Sequence, residues 1–142
     1  MDCCCLNRPF DDTSHSIVRA ESTAVRSILL AISEQHWILV SGTVLRYEIL
    51  QNPSEERRRR VLSLEGLSTE WIALDPEIEA RGRELHSSGI AATDALHLAS
   101  AEKARVDIFL TTDYKLLRAA NRHSFPFQAM NPLEFQAGGV EP

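Results

Sequence analysis

Apolar positions follow two patterns along this chain, helical spacing in some segments and short continuous runs in others. Between Ile17 and Ile32 they recur every three or four residues, which predicts a long amphipathic helix with its N-cap within 11–14. Short runs rich in strand-forming residues are typical of buried strands. Such runs predict strands at 1–6, 37–41, 71–74, 107–112 and 126–130.

Charged or alanine-rich segments separate these runs and have helix-capping residues. We predict caps at Thr43, Asp75 and Thr93, and a helix stop at Gly89. The predicted helices cover 43–51, 53–66, 76–88, 92–104 and 113–121. Strands that alternate with helices indicate an α/β fold with three α/β/α layers around a mostly parallel sheet. We assign one domain to 1–135 and a loose tail to 136–142.

Composition and charge narrow the class of protein. The 142 residues include 44% hydrophobic and 25% charged residues, as in ordinary globular domains. A formal net charge of −5 argues against a protein that coats nucleic acid electrostatically. No apolar run reaches membrane-spanning length or resembles a signal peptide, so we expect a cytoplasmic protein.

Three consecutive cysteines, Cys3 to Cys5, stand near the start of the chain. In an extended segment, neighbouring side chains point to opposite faces, so the three thiols are poorly placed to bind one zinc ion. No distant cysteine exists as a disulfide partner. We expect small, buried, reduced side chains in a strand or turn.

Four acids stand where a parallel sheet would bring them together: Asp2, Glu48, Asp94 and Asp113. Asp2 and Asp113 are expected at the ends of strands, Asp94 at the start of a helix and Glu48 in the first turns of another. All four are expected near the carboxyl edge of the sheet, where such folds bind ligands. Clustered carboxylates suit Mg²⁺ or Mn²⁺, which can activate water for phosphodiester hydrolysis. Most of the other acids lie on predicted helix surfaces, where we expect solvated charge.

Each acid also has a simpler explanation. Asp94 fits a first-turn helix acid, Asp113 fits an N-cap, and Asp2 fits a disordered terminal residue. Glu48 fits an ion pair with Arg46 or Arg8. The functional interpretation therefore depends on all four acids fitting one geometry.

Two further features have open interpretations. The run Arg57–Arg60 could contact RNA phosphates or an acidic partner segment, or form a solvated helix face paired with Glu55 and Glu56. His97 follows Asp94 by three positions and could be a metal ligand, a packing residue or a surface residue.

At these residues the sequence resembles the PIN domain family, the ribonuclease fold of many VapC-type toxins. The similar segments are DCCCLNRPFDD, VSGTVLRYEI, TDALHLASA and FLTTDYKLLR, in that order. The resemblance implies Asp2, Glu48, Asp94 and Asp113 as metal-binding catalytic acids. It also implies a supporting hydrogen bond from Thr111, whereas Asn7 receives no role.

The resemblance further implies an endoribonuclease that acts on RNA and depends on Mg²⁺ or Mn²⁺. It also implies a homodimer and, as a possible partner, an antitoxin protein. Only Met1 precedes the first acid, so the first strand looks truncated, as a start codon assigned too late would explain. The alternatives are a PIN-like binding or assembly module without catalysis and a receiver-like signalling domain. No lysine follows the last strand where a receiver would need one.

Overall fold

The computed structural model describes residues 1–138, which form eight α-helices and four short strands. The helices are α1 Cys3–Asn7, α2 Ser16–Ser33, α3 Thr43–Leu50, α4 Glu55–Glu65, α5 Pro76–Ser87, α6 Ala92–Lys103, α7 Tyr114–Ala120 and α8 Pro132–Ala137. The strands are β1 Val40–Gly42, β2 Glu70–Ile72, β3 Ile108–Leu110 and β4 Gln128–Met130. Most of the predicted tail, residues 139–142, lies outside the described residues.

The four strands form two parallel pairs. β1 pairs with β2, Val40 opposite Glu70, and β3 pairs with β4, Ile108 opposite Gln128. Each strand is followed by a helix, which is the connection that parallel strands require. The prediction of an α/β fold with parallel strands is confirmed.

Two hydrophobic cores cover opposite faces of the strands. Consecutive residues of β3 point to opposite faces, so Leu110 packs in one core and Phe109 in the other. The Leu110 core receives side chains from α1, α2, α3, α4 and α8. The Phe109 core receives side chains from α5, α6 and α7. This arrangement is the expected three-layer α/β/α fold.

The predicted strand at 1–6 is wrong, because residues 3–7 form helix α1. The Asp2 side chain caps this helix by accepting the Cys5 N–H at 2.9 Å. Local capping therefore prevails over the strand propensity of the cysteines. Cys3 and Cys5 are buried as expected, whereas Cys4 is exposed, and all three thiols are free.

The helix caps agree with the sequence at some positions only. Asp75 caps α5 as predicted, accepting the Ile78 N–H at 2.8 Å, and Gly89 has the positive φ of 102° that favours glycine after a helix. Thr43 and Thr93 lie inside α3 and α6 instead of capping them. Helix α8 was not predicted, although Asn131 and Glu134 form a capping box at its start.

Arg57 anchors α4 to the segment that follows α1. Its guanidinium donates hydrogen bonds to the backbone oxygens of Asn7 at 3.2 Å and Phe10 at 2.9 Å, and to Asp11 Oδ1 at 2.9 Å. The Arg60 guanidinium also lies over the Phe10 ring and pairs with Glu56 at 2.5 Å. Arg57 therefore has a structural role. The ion pair with Glu56 that the sequence suggested for this helix face is formed by Arg60.

We expect Arg57→Ala to lower the free energy of unfolding by about 1.5–3 kcal/mol, because charge-assisted hydrogen bonds contribute about that much. Urea denaturation followed by circular dichroism measures the change. The matched variant Arg59→Ala alters an exposed side chain of the same helix and should change stability by less than about 0.5 kcal/mol. Equal stability of the two variants would contradict the anchoring role.

No helix within residues 1–138 is both long and apolar enough to cross a membrane.

Candidate active site

The four acids predicted from the sequence occupy four different elements. Asp113 directly caps α7 after β3, and Asp94 lies in the first turn of α6. Glu48 lies on α3, and Asp2 caps α1. Asp2 also lies beside β3, because its backbone N–H donates to the Leu110 oxygen at 3.0 Å. Asp2 is therefore ordered and buried rather than a free terminal residue.

Thr111 links Asp2 to Asp113. Its hydroxyl donates to Asp2 Oδ2 at 2.6 Å and accepts the Asp113 backbone N–H at 2.9 Å. The Asp2 carboxylate also accepts the Cys5 N–H through Oδ1, and burial raises the pKa of this carboxyl. Thr111 is fully buried, so this bridge orients two acids that are 111 positions apart in the chain.

Glu48 pairs with His97 rather than with an arginine. His97 Nε2 lies 2.5 Å from Glu48 Oε2, and the His97 side chain is only 6% exposed. The two arginines that the sequence suggested for Glu48 have other partners. Arg46 pairs with Glu65 at 2.6 Å, and Arg8 pairs with Asp11 and Glu21. His97 thus holds the Glu48 carboxylate in place, a role the sequence left open.

Asp113 serves as the N-cap that its sequence position suggested. Its Oδ1 accepts the N–H groups of Lys115 at 2.8 Å and Leu116 at 3.1 Å. This capping uses one carboxylate oxygen. A capping role and a role in the site are therefore compatible for Asp113.

The other acids of the cluster change the pKa of the Asp94 carboxyl. Burial raises the pKa of the Asp94 carboxyl, the charges of Asp113, Glu48 and Asp2 raise the pKa further, and His97 offsets part of the rise. Among the ion pairs of residues 1–138, none joins Asp94 or Asp113 to a lysine or arginine. The site therefore has excess negative charge, which a cation would relieve.

Cys4 is a neighbour of this cluster that sequence reasoning missed. Although the Cys4 side chain is exposed, desolvation by neighbouring protein atoms raises the pKa of its thiol, and the charges of Asp2, Glu48 and Asp113 add to that effect. Its thiol is therefore held in the neutral form. The predicted extended conformation of residues 1–6 concealed this position, since helix α1 determines where Cys4 points.

The oxygen donors of the cluster suit a hard divalent cation, and the uncompensated charge at Asp94 favours one. Two of the acids have competing partners, however. Both Asp2 oxygens accept hydrogen bonds, and Glu48 is bound by His97. Across residues 1–138, no set of three or more His, Cys, Asp or Glu side chains is arranged as a ready-made metal site.

Two other acids are buried in networks that the sequence did not reveal. Glu21 on α2 accepts hydrogen bonds from the Tyr114 hydroxyl at 3.0 Å and from Asn131 Nδ2 at 2.8 Å. Glu65 on α4 accepts the Ser41 hydroxyl at 2.5 Å. The expectation of solvated charge is wrong for both residues, because their partners come from distant elements.

A family model for the PIN domain matches residues 6–122. The chain belongs to the PIN domain family. The matched segment of this PIN domain contains Glu48, Asp94, Thr111 and Asp113, whereas Asp2 precedes it. PIN domains are in general nucleases that act on RNA and use divalent metal ions. Searches of curated proteins and of solved structures found no significant match.

Proposed function

We propose that this PIN domain is an endoribonuclease that hydrolyses RNA phosphodiester bonds with Mg²⁺ or Mn²⁺. The observation that carries the proposal is the carboxyl of Asp94, whose pKa is raised by burial and by three other carboxylates in the absence of a lysine or arginine partner within residues 1–138. The negative charges of such a cluster repel one another unless positive charge is bound between them. An RNA phosphate cannot supply it, but a divalent cation can.

Asp94 and Asp113 are the proposed principal metal ligands, since neither is paired with a lysine or arginine within residues 1–138. Asp2 and Glu48 would complete the acidic set. Thr111 and His97 are positioning residues, because the Thr111 hydroxyl orients Asp2 and the His97 ring orients Glu48. A bound divalent cation would supply positive charge for the scissile phosphate and lower the pKa of an attacking water.

The proposed hydrolysis joins a water oxygen to phosphorus and breaks the bond to the leaving ribose oxygen. The chain's carboxylates accept the proton that the water loses, and a proton from solvent completes the hydroxyl on the leaving ribose oxygen. The displacement leaves one RNA fragment with the phosphate and one with the free hydroxyl. This reaction needs no oxidant or group donor.

A toxin role, an antitoxin partner and a homodimer are further proposals supported by the resemblance to VapC-type toxins. Exposed apolar side chains offer such partners a surface for contact. Two of them, Tyr47 at 63% and Leu50 at 50% exposed, lie one turn apart on α3, which also contains Glu48. A partner bound there would lie next to the acidic cluster.

A catalytically impaired binding or assembly module is the second candidate. The observation that favours it is the occupation of both Asp2 oxygens by Cys5 and Thr111. A carboxylate engaged in this way has fewer lone pairs for a metal ion. In this alternative, the cluster would bind a partner without cleaving it.

The metal requirement separates these candidates. We expect the purified protein to cleave a pool of single-stranded RNAs in Mg²⁺ or Mn²⁺ and to lose this activity in EDTA, because the acids alone offer no positive charge for the phosphate. Gel electrophoresis of end-labelled RNA measures the loss. Binding of RNA without cleavage in either metal would favour the binding module.

A further inference from the structure

A basic segment without acidic residues follows the acidic cluster along the chain. Between Asp113 and Glu134 there are three cations, Lys115, Arg118 and Arg122, and no aspartate or glutamate. The whole chain has a formal net charge of −5, so this segment opposes the charge of the rest. The segment is therefore suited by its charge to an anionic partner.

The three cations share one exposed face of α7 and of the turn after it. Arg118 follows Lys115 by three positions, and Arg122 follows four positions later, which is the spacing of neighbouring side chains on a helix surface. All three are exposed, whereas Leu116 and Leu117 between them are buried. The cations therefore form one row, called here the α7 stripe, that starts two residues after the last acid of the cluster.

The fold does not neutralise the α7 stripe. Within residues 1–138, no ion pair includes one of its side chains. The run of four arginines on α4 differs, because three of its guanidinium groups bind carbonyl or carboxylate oxygens of the fold, those of Arg57, Arg58 and Arg60. The stripe can therefore contact phosphates without breaking an internal ion pair.

Tyr114 adds an aromatic surface between the cluster and the α7 stripe. It directly follows Asp113 and is 46% exposed. Its hydroxyl donates to Glu21 Oε1 at 3.0 Å, which orients the ring. Proteins bind single-stranded nucleic acids with cations along the backbone and aromatic rings against the bases. An acidic peptide has no base to stack on the ring, so Tyr114 favours RNA as the anionic partner.

We propose that the α7 stripe binds the phosphates of single-stranded RNA beside the acidic cluster, with Tyr114 stacked on a base. The length fits, since α7 and its two caps extend over about 12 Å and the phosphates of a stacked strand are about 3.4 Å apart, which places about three phosphates along three cations. The inference rests on the proposed function, because the cluster is where the proposed reaction cleaves this RNA. The stripe offsets the repulsion between the RNA and the acids.

RNA binding in EDTA tests the stripe without cleavage. The probe is a labelled single-stranded RNA of about twelve nucleotides, whose Kd is measured by fluorescence anisotropy over a range of KCl concentrations. For the triple variant Lys115→Gln, Arg118→Gln, Arg122→Gln, we expect binding at least about tenfold weaker at low salt. The slope of log K against log[KCl] should be smaller by about two, because each phosphate contact of a single strand contributes about 0.7.

A matched triple variant removes the same charge from other places. Arg59→Gln, Arg83→Gln, Arg105→Gln replaces three exposed arginines outside α7 and gives the same net charge as the stripe variant. Its Kd should stay within about twofold of the unsubstituted protein and its salt slope should not change, because the stripe is intact. All six substitutions are at exposed side chains, so both variants should fold. Equal weakening by the two variants would overturn the stripe.

Two substitutions of Tyr114 separate stacking from folding, since both remove the hydroxyl that binds Glu21. Tyr114→Phe keeps an aromatic ring and should bind RNA within about twofold of the unsubstituted protein. Tyr114→Leu should bind at least about fivefold more weakly, because it has no ring for a base to stack on. Equal binding by the two variants would overturn the stacking role.

A labelled oligoglutamate with the net charge of the RNA is the competing probe. Tighter binding of this peptide than of RNA would overturn the assignment and indicate an acidic protein segment as the partner. RNA binding that requires the stripe, without cleavage in Mg²⁺ or Mn²⁺, would support the RNA surface and contradict the proposed nuclease. Cleavage with an unchanged KM in the stripe variant would support the nuclease and overturn the RNA surface.

Discussion

Asp94→Asn should reduce RNA cleavage in Mg²⁺ or Mn²⁺ by about 100-fold or more, because divalent metal ions contribute several kcal/mol to such reactions and each 1.4 kcal/mol corresponds to tenfold. The substitution preserves the size of the side chain and removes its charge. Asp94 makes no hydrogen bond that holds α6 together, so the fold should persist. Rates measured under single-turnover conditions give the loss directly.

In the same variant, Mn²⁺ should raise the Tm by less than in the unsubstituted protein, and the variant should remain folded. In EDTA, Asp94→Asn should be at least as stable as the unsubstituted protein, because it removes a carboxyl whose pKa is raised by burial and by its acidic neighbours. A raised pKa means that the native state binds protons more tightly than the unfolded state, so this charge costs stability at neutral pH. Thermal unfolding with and without Mn²⁺ measures both effects.

Asp107→Asn is the matched control for this experiment. Asp107 is an exposed aspartate that directly precedes β3, whereas Asp113 follows that strand at its other end. The same chemical change there should leave cleavage and the metal response within about twofold of the unsubstituted protein. Equal cleavage by Asp94→Asn and the unsubstituted protein would sink the nuclease mechanism.

Glu21→Ala should destabilise the fold by about 3–4 kcal/mol, because it leaves Arg8 Nε and Asn131 Nδ2 without their buried acceptor. The Glu21 side chain is only 2% exposed and lies 3.0 Å from Arg8 Nε. Its loss would also remove the acceptor for the Tyr114 hydroxyl and Asn131 Nδ2. Guanidinium denaturation measures the free energy of unfolding.

Two further variants separate charge from volume. Glu21→Gln keeps an amide oxygen that can accept hydrogen bonds, so we expect a smaller loss of about 1–2 kcal/mol. Glu79→Ala removes an exposed acid from α5 and should change stability by less than about 0.5 kcal/mol. A Glu21→Ala loss as small as that of Glu79→Ala would contradict the buried network.

The helices and strands between residues 16 and 130 could be predicted from the sequence because their signals are local. The spacing of apolar residues between Ile17 and Ile32 determines which face of α2 packs in the core, and α2 indeed spans Ser16–Ser33. The strands proved shorter than predicted. Their apolar runs extend beyond the residues that pair, as for 37–41 and β1.

The start of the chain shows where local signals conflict. The segment 1–6 suggested a strand or the end of one, but the Asp2 carboxylate accepts the Cys5 N–H and begins a helix. The same side chain accepts the Thr111 hydroxyl, a partner that no local pattern indicates. Capping decided the conformation, and a contact across the fold then buried the acid.

The sequence by itself determined the α/β order of elements, the parallel direction of the strands and the PIN family, and it predicted Glu48, Asp94 and Asp113 as site residues. These features follow from periodicity and from residues that stand at element ends. Only the tertiary structure decided which side chains meet. The pairs Glu48–His97, Thr111–Asp2 and Glu21–Arg8 join residues from different elements, and a buried charge is stable only where the fold supplies its partner.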